Sequence, residues 1–277
     1  MKTKLLYYLI ASIALIFASC TNDDNSDNNS LTLPKTITYR HQDNTIYQTA
    51  TFTYDSNKIV SISSEKSLIE FTYDGNQIVK EIQYSRYEGK EAKYYEILYT
   101  YLNDKLETGV LTFGSQYQYN GKKYMYSYNE DGTVKKETYD TDIETGKQSE
   151  NYSTGILTFE NGNLIKSVSN WEDRPYITTC RYEYDVKNNA FKNILGLNLL
   201  LDLADFSSEF NFFSLNNINT FHGVTNLVPG TDPKLATIAF EPFGHTMNYE
   251  YNKKGYPTKR TTYDYKGDIK EIIEYAY

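Results

Sequence analysis

One pattern recurs along most of the chain and limits what it can fold into. An aromatic-x-aromatic triplet is followed by Asp, Asn or Glu, a Gly/Asn-rich turn, and then an aliphatic residue. Clear copies run over Phe52–Ile59, Phe71–Ile78, Tyr99–Leu106, Tyr126–Val134, Leu157–Leu164 and Tyr249–Tyr256. Tyr182 to Asp185 starts the pattern without its glycine turn, and Glu274 to Tyr277 supplies only its first half. Alternation places the two aromatics on one face and Thr, Ser or Glu on the other. Asp-Gly, Asn-Gly and Asn/Asp turns tolerate the positive φ that a tight reversal needs. Each copy therefore reads as a β-hairpin.

Further turns at Glu88-Gly89, Asn120-Gly121, Thr145-Gly146 and Lys266-Gly267 lie between these copies. Two turns per unit predict an antiparallel meander of roughly a dozen or more strands. Tyrosine supports it, at 29 of 277 residues against 13 Phe and one Trp, because its ring packs on a sheet while its hydroxyl reaches a polar partner. The second aromatics fall at 54, 73, 101, 128, 159, 184, 251 and 277, too irregular for a rigid solenoid. The expected fold is mainly β, an antiparallel meander of repeated hairpins forming a large twisted, curled sheet. Residues 188–241 interrupt it. There Ile194, Leu197, Leu200, Leu201 and Ala204 share a face at helical spacing, predicting a helical insertion near 192–205. That helix, with the aromatic tail Phe206, Phe210, Phe212 and Phe213, is expected to plug the concave face of the sheet.

The first twenty residues read as an address. Met1 to Lys4 is basic, Leu5 to Phe17 is apolar, and Ala18-Ser19 places small residues before Cys20. Thirteen apolar residues fall short of the roughly 20 that a membrane-crossing helix needs. The layout is that of a lipoprotein signal over 1–19, with lipidation at Cys20. Residues 21–30 contain nothing apolar, so 20–30 is expected to be a disordered acidic tether, followed by a single domain over 31–277. The acidic pair Asp23-Asp24 is similar to the tag that sends some lipoproteins to the cell surface. If Cys20 carries lipid, Cys180 has no partner within the chain and should be a structural thiol on a strand.

The repeats resemble degenerate YD (RHS-type) repeats. Joined to the leader, they are similar to a family of tyrosine-rich bacterial lipoproteins of unassigned function. Asn188–Ile194 and Tyr249–Lys259 resemble that family's late segments, and the likeness covers most of residues 36–277. The resemblance implies an envelope lipoprotein and supplies no catalytic residues.

Chemistry is sparse. The formal charge is −8, and more negative once Lys2 and Lys4 leave with the leader, which argues against nucleic acid. His41, His222 and His245 are scattered, so no metal site is expected, and no cofactor motif is present. Asp140-Thr-Asp142-Ile-Glu144-Thr-Gly146 has alternating oxygen ligands, but its spacing suits a hairpin turn better than a calcium loop. Trp171, the only tryptophan, with Arg174 and Tyr176, is the candidate ligand-binding group: rings for a sugar's apolar face, polar groups for its hydroxyls. The sequence thus points to a non-enzymatic binding or interaction module of the outer membrane or cell surface. Its membrane contact would be the lipid on Cys20, and its partner an extracellular polysaccharide or a protein. A glycan-binding accessory lipoprotein is one alternative, and a glycan hydrolase using a carboxylate pair is another.

Overall fold

The computed structural model describes residues 31–116, 121–142, 145, 147–171, 174–203, 213–228, 230 and 241–277. The chain divides into Met1–Leu31 and Thr32–Tyr277, and the fold is that of the second unit. The leader, Cys20 and the 20–30 tether lie outside the described residues, as do the aromatic-tail positions Phe206, Phe210 and Phe212.

Sixteen strands follow in order: β1 (Thr36–Arg40), β2 (Ile46–Asp55), β3 (Lys58–Ser63), β4 (Ser67–Asp74), β5 (Gln77–Tyr87), β6 (Lys90–Leu102), β7 (Lys105–Phe113) and β8 (Gly121–Tyr128). The second half is β9 (Val134–Thr141), β10 (Gln148–Glu160), β11 (Asn163–Trp171), β12 (Tyr176–Tyr184), β13 (Ile218–Leu227), β14 (Phe243–Tyr251), β15 (Pro257–Tyr263) and β16 (Ile269–Ala276). Each pairs with its chain neighbours, and β1 pairs antiparallel with β16, so the sheet is a closed barrel. This corrects the open, curled sheet expected from the repeat. The meander and its hairpins are present, but the sheet has no free edge.

Two devices in the repeat explain the closure. Hairpin after hairpin slips register just past its aliphatic residue: Tyr54 faces Ile59 while Thr53 faces Ser61, and the same step recurs at Tyr73/Ile78, Tyr101/Leu106, Phe159/Leu164, Tyr184/Ile218 and Tyr251/Pro257. These bulges lie at one end of the barrel, and each adds local twist and curl. The second device is a tyrosine latch. The phenol of one unit donates to the carbonyl of the preceding unit's aliphatic residue: Tyr101 to Ile78 at 2.7 Å, Tyr128 to Leu106 at 3.1 Å, Tyr184 to Leu164 at 2.8 Å. The termini complete the series. Tyr277 donates to the Pro257 carbonyl at 2.8 Å, and Tyr54 to that of Pro34, also at 2.8 Å. Pro34 thus takes the aliphatic place that follows Tyr277 around the ring. The half-repeat at the C-terminus finds its other half at β1.

The first aromatics and the aliphatics point inward. Ile37, Ile59, Ile78, Leu106, Leu164 and Ile273 are fully buried and share one core with Phe52, Phe71, Tyr99 and Tyr126. The β12–β13 connection covers this latch end. Asn193 Nδ2 donates to the Thr32 carbonyl at 3.0 Å, Leu195 N to that of Asn57 at 2.9 Å, and Tyr73 OH to that of Leu195 at 3.0 Å. Phe191 lies between Phe52 and Tyr275, with ring centroids 6.0 and 6.5 Å away. Where the expected α-helix over 192–205 falls on described residues, the chain forms turns and a short 3-10 helix, Leu197–Leu203, broken at Leu201 where φ is 52°; Ala204 and Asp205 lie outside the described residues. Gly196, at φ 75°, is the reason the chain can enter here: a Cβ would stand 2.5 Å from the Asn76 carbonyl oxygen. The helix then reaches the inner wall, where Leu203 fills the space above Gly109. Asp202 accepts from Tyr126 OH at 2.8 Å and from Lys136 Nζ at 2.5 Å. The insertion thus fills the interior, and Leu200 is fully buried. The sheet resumes at Ile218, within the stretch read as an interruption.

The outer wall is largely polar, with the exposed apolar residues Val60, Leu98 and Ile156 scattered over it. Thr49, Thr51 and Thr53 on β2, Glu70 and Thr72 on β4, and Asn248 and Glu250 on β14 are exposed. Cross-strand partners suit water: Lys259 Nζ to Glu250 at 3.1 Å, and Thr100 Oγ1 to Thr108 Oγ1 at 2.7 Å. A barrel that spans a bilayer carries the opposite pattern, an apolar outer band around a polar interior. One Lys on the lipid face near the midplane costs about 2–4 kcal/mol. The charged and hydroxylated positions on this wall do not match that pattern.

Two outcomes follow. Tyr101→Phe should lower stability by about 1 kcal/mol, the net worth of one such hydrogen bond, and is read from the urea midpoint at unchanged slope. Burial pushes the Tyr73 and Tyr124 phenols up to about 12, the charges of Asp202 and Asp140 adding to the effect at Tyr124. Burial, then the neighbouring Glu81 or Asp202 carboxylate, lifts Tyr99 and Tyr126 well above the usual 10. The fold holds these phenols neutral, while unfolding frees them to ionise. Stability is therefore complete below about pH 10 and is lost as pH rises through 12 and beyond. These four phenols should ionise only as the far-UV β signal is lost; their ionisation with the barrel intact, read residue by residue by NMR, would contradict this.

Candidate functional site

The barrel's two ends differ chemically. The latch end, where the described chain enters, is apolar and covered by the insertion. At the other end inward register positions carry polar groups, among them Gln48, Asp140, Thr178, His245, Thr262 and Glu271. Thr178 and Thr225, for example, meet hydroxyl to hydroxyl at 3.0 Å.

The nominated residues gather here. Trp171 closes β11 opposite the buried Ser153, on the inward face, and is 44% exposed. The Arg174 guanidinium lies 5.7 Å from its ring centroid and Lys122 Nζ 6.0 Å. Tyr176 opens β12 across the same turn. A cation-flanked exposed indole is thus present at the polar rim. Cys180, on the inward face opposite Ser167, is a free thiol held protonated by burial. Asp142 accepts from Thr145 N and Oγ1 at 2.7 and 2.9 Å, the hairpin-turn reading of that segment; Ile143, Glu144 and Gly146 lie outside the described residues. Among the described residues no group of three or more His, Cys, Asp or Glu could hold a metal ion.

A second constellation had no sequence signal. A cavity of about 290 Å³ is lined by His41, Tyr47, His245, Arg260, Thr262, Lys270 and Glu271. It lies across the seam where β1 meets β16, so residues from both ends of the chain face each other. Arg260, 4% exposed, pairs with Glu271 at 3.1 Å, and Tyr47 OH donates to the other Glu271 oxygen. The His41 and Tyr47 rings stand 4.5 Å apart. Lys270 Nζ lies 3.3 Å from His245 Nε2, and burial, then the Lys270 charge, push the His245 pKa below its usual value. An adjoining groove of about 730 Å³ runs between Phe221, Phe243, Asp264 and Tyr265. Asp264 is occupied by its own turn, accepting from Lys266 N and Asp268 N. His41 and His245, read as scattered, share one wall because closure brings their strands together.

No family model and no curated protein matches the chain. Among solved structures it is similar in fold to a porin-like protein from Bacteroides vulgatus, with TM-score 0.50 and 14% identity over 89% of this chain and 99% of that one. A porin-like protein from Bacteroides uniformis aligns at TM-score 0.42 and 11% identity, over 88% and 96%. The likeness to the first of these is one of fold alone.

The buried pair predicts an asymmetry. Arg260→Met alone strands Glu271 and should cost about 3–5 kcal/mol, whereas Arg260→Met with Glu271→Met should fall within about 1 kcal/mol of the wild type. Thermal and urea unfolding of the three proteins measure it.

Proposed function

We propose that this chain is a non-enzymatic envelope protein, tethered to the outer membrane by lipid on Cys20, whose barrel stands in water and presents its polar end to a ligand. The polarity of the wall carries this reading. An outer face rich in exposed Thr, Lys and Glu suits water better than lipid, which favours an anchor outside the barrel. The described chain enters at the latch end, and the polar rim lies at the other end of the barrel. The fold likeness to a porin-like protein of Bacteroides supports an envelope setting. So do the lipoprotein-like leader and the resemblance to tyrosine-rich lipoproteins.

The exposed Trp171, flanked by Arg174 and Lys122 at that rim, favours an extracellular glycan as the ligand. It outweighs the hydrolase alternative. The seam cavity's single carboxylate, Glu271, is engaged by Arg260 and Tyr47, while glycoside hydrolysis generally uses two carboxyl groups.

Metabolic labelling with a lipid analogue should mark the wild type and leave Cys20→Ala unmarked and released from the membrane fraction. Protease added to intact cells should cut the protein if it is surface-exposed, and protection would assign it to the periplasmic face. Trp171→Ala should reduce retention on immobilised glycans by roughly tenfold without changing the melting temperature; unchanged retention would remove the glycan reading.

A further inference from the structure

The seam cavity is chemically unlike the rest of this acidic chain. Its lining sets the Arg260 and Lys270 cations against one carboxylate, Glu271. His245 adds no positive charge at neutral pH, since burial and Lys270 keep it deprotonated. The cavity is therefore locally cationic. A guanidinium offers five donors in a planar fork, enough to serve Glu271 and a second carboxylate together. Thr262 gives an independent observation. It is 5% exposed, lines the cavity, and its Oγ1 has no hydrogen-bond partner among the described residues. A buried hydroxyl in that state leaves a hydrogen bond for a water or a ligand hydroxyl to make. The His41 and Tyr47 rings, tilted 33° to each other, supply an aromatic wall on another side. At about 290 Å³ the space suits a small ligand of one or two rings.

We propose that this cavity binds an acidic sugar, its carboxylate held by Arg260 and Lys270, a hydroxyl by Thr262, and its C–H face against Tyr47. The inference rests on the glycan-binding reading and specifies the ligand's charge. A neutral sugar would leave the lining's one surplus positive charge uncompensated. A small anion without a ring would leave the Tyr47 wall unused. The site needs both features in one molecule.

Calorimetric titration of the detergent-solubilised full chain with glucuronate and galacturonate, against glucose and galactose, tests it. The uronates should bind at least about tenfold more tightly than the neutral sugars, and more tightly than acetate or inorganic phosphate. Lys270→Gln and Thr262→Val, both small changes that leave the Arg260–Glu271 pair in place, should each weaken uronate binding by roughly five- to tenfold with an unchanged far-UV spectrum. Equal affinity for uronate and neutral sugar overturns the proposal, as does wild-type uronate affinity in both variants. Phosphate or acetate binding as tightly as uronate reduces the site to an adventitious anion site and overturns the sugar assignment. If neutral glycans are retained through Trp171 while uronates do not bind, this inference alone fails. If no glycan of either kind is retained, the glycan reading fails with it.

Discussion

The pairing of β1 with β16 is the contact on which the rest depends. Five register pairs, from Thr36–Ala276 to Arg40–Ile272, join the two ends of the described barrel. They are reinforced by Arg40 to Glu274 at 2.9 Å and by Tyr47 to Glu271. Without this seam the sheet would expose two rows of unpaired backbone groups, the liability that closure abolishes. The seam also completes the latch series, since Tyr54 reaches Pro34 and Tyr277 reaches Pro257 as any internal unit reaches its predecessor. It creates the cationic cavity too, because His41 and Tyr47 come from one side of it and the remaining lining residues from the other.

Closure raises a second problem that the insertion solves. A barrel of sixteen strands is wide enough to leave a channel unless something fills it. Here the inner wall is apolar toward the latch end, so an empty channel would leave that surface wet. Phe191, Ile194, Leu197 and Leu200 occupy the space, while Asp202 brings a carboxylate to the inward Lys136. The result is polarised along its axis: one end sealed by hydrocarbon and backbone hydrogen bonds, the other lined with hydroxyls, charges and one exposed indole.

The local rules were legible and their sum was not. The hairpins around Phe52–Ile59 and Phe71–Ile78 follow from aromatic alternation and turn chemistry, and the Trp171–Arg174 contact follows from a turn joining two strands. The insertion was readable as apolar filling, yet its form was not: Gly196 and the left-handed Leu201 break the helical spacing of Ile194 to Ala204 into turns and a 3-10 segment. The bulged residues Val60, Val79 and Glu107 look like ordinary strand residues, and nothing in their identity marks the extra twist they add. The open sheet was the wrong conclusion because curvature accumulates over many hairpins, each contributing an amount that no single motif displays.

What the sequence by itself determined is everything that acts over a few residues. Within the repeat units, the inward aromatics and aliphatics, the outward Thr between them and the position of each reversal are consequences of side-chain chemistry and a period of two. Only the tertiary structure decided that the ends meet, that tyrosine hydroxyls latch one unit to the next, and that His41, Tyr47, Arg260 and Thr262 face one cavity. The reason is geometric. Residues more than two hundred positions apart become neighbours through the summed twist and bulging of sixteen strands, and that sum exists only in the folded barrel.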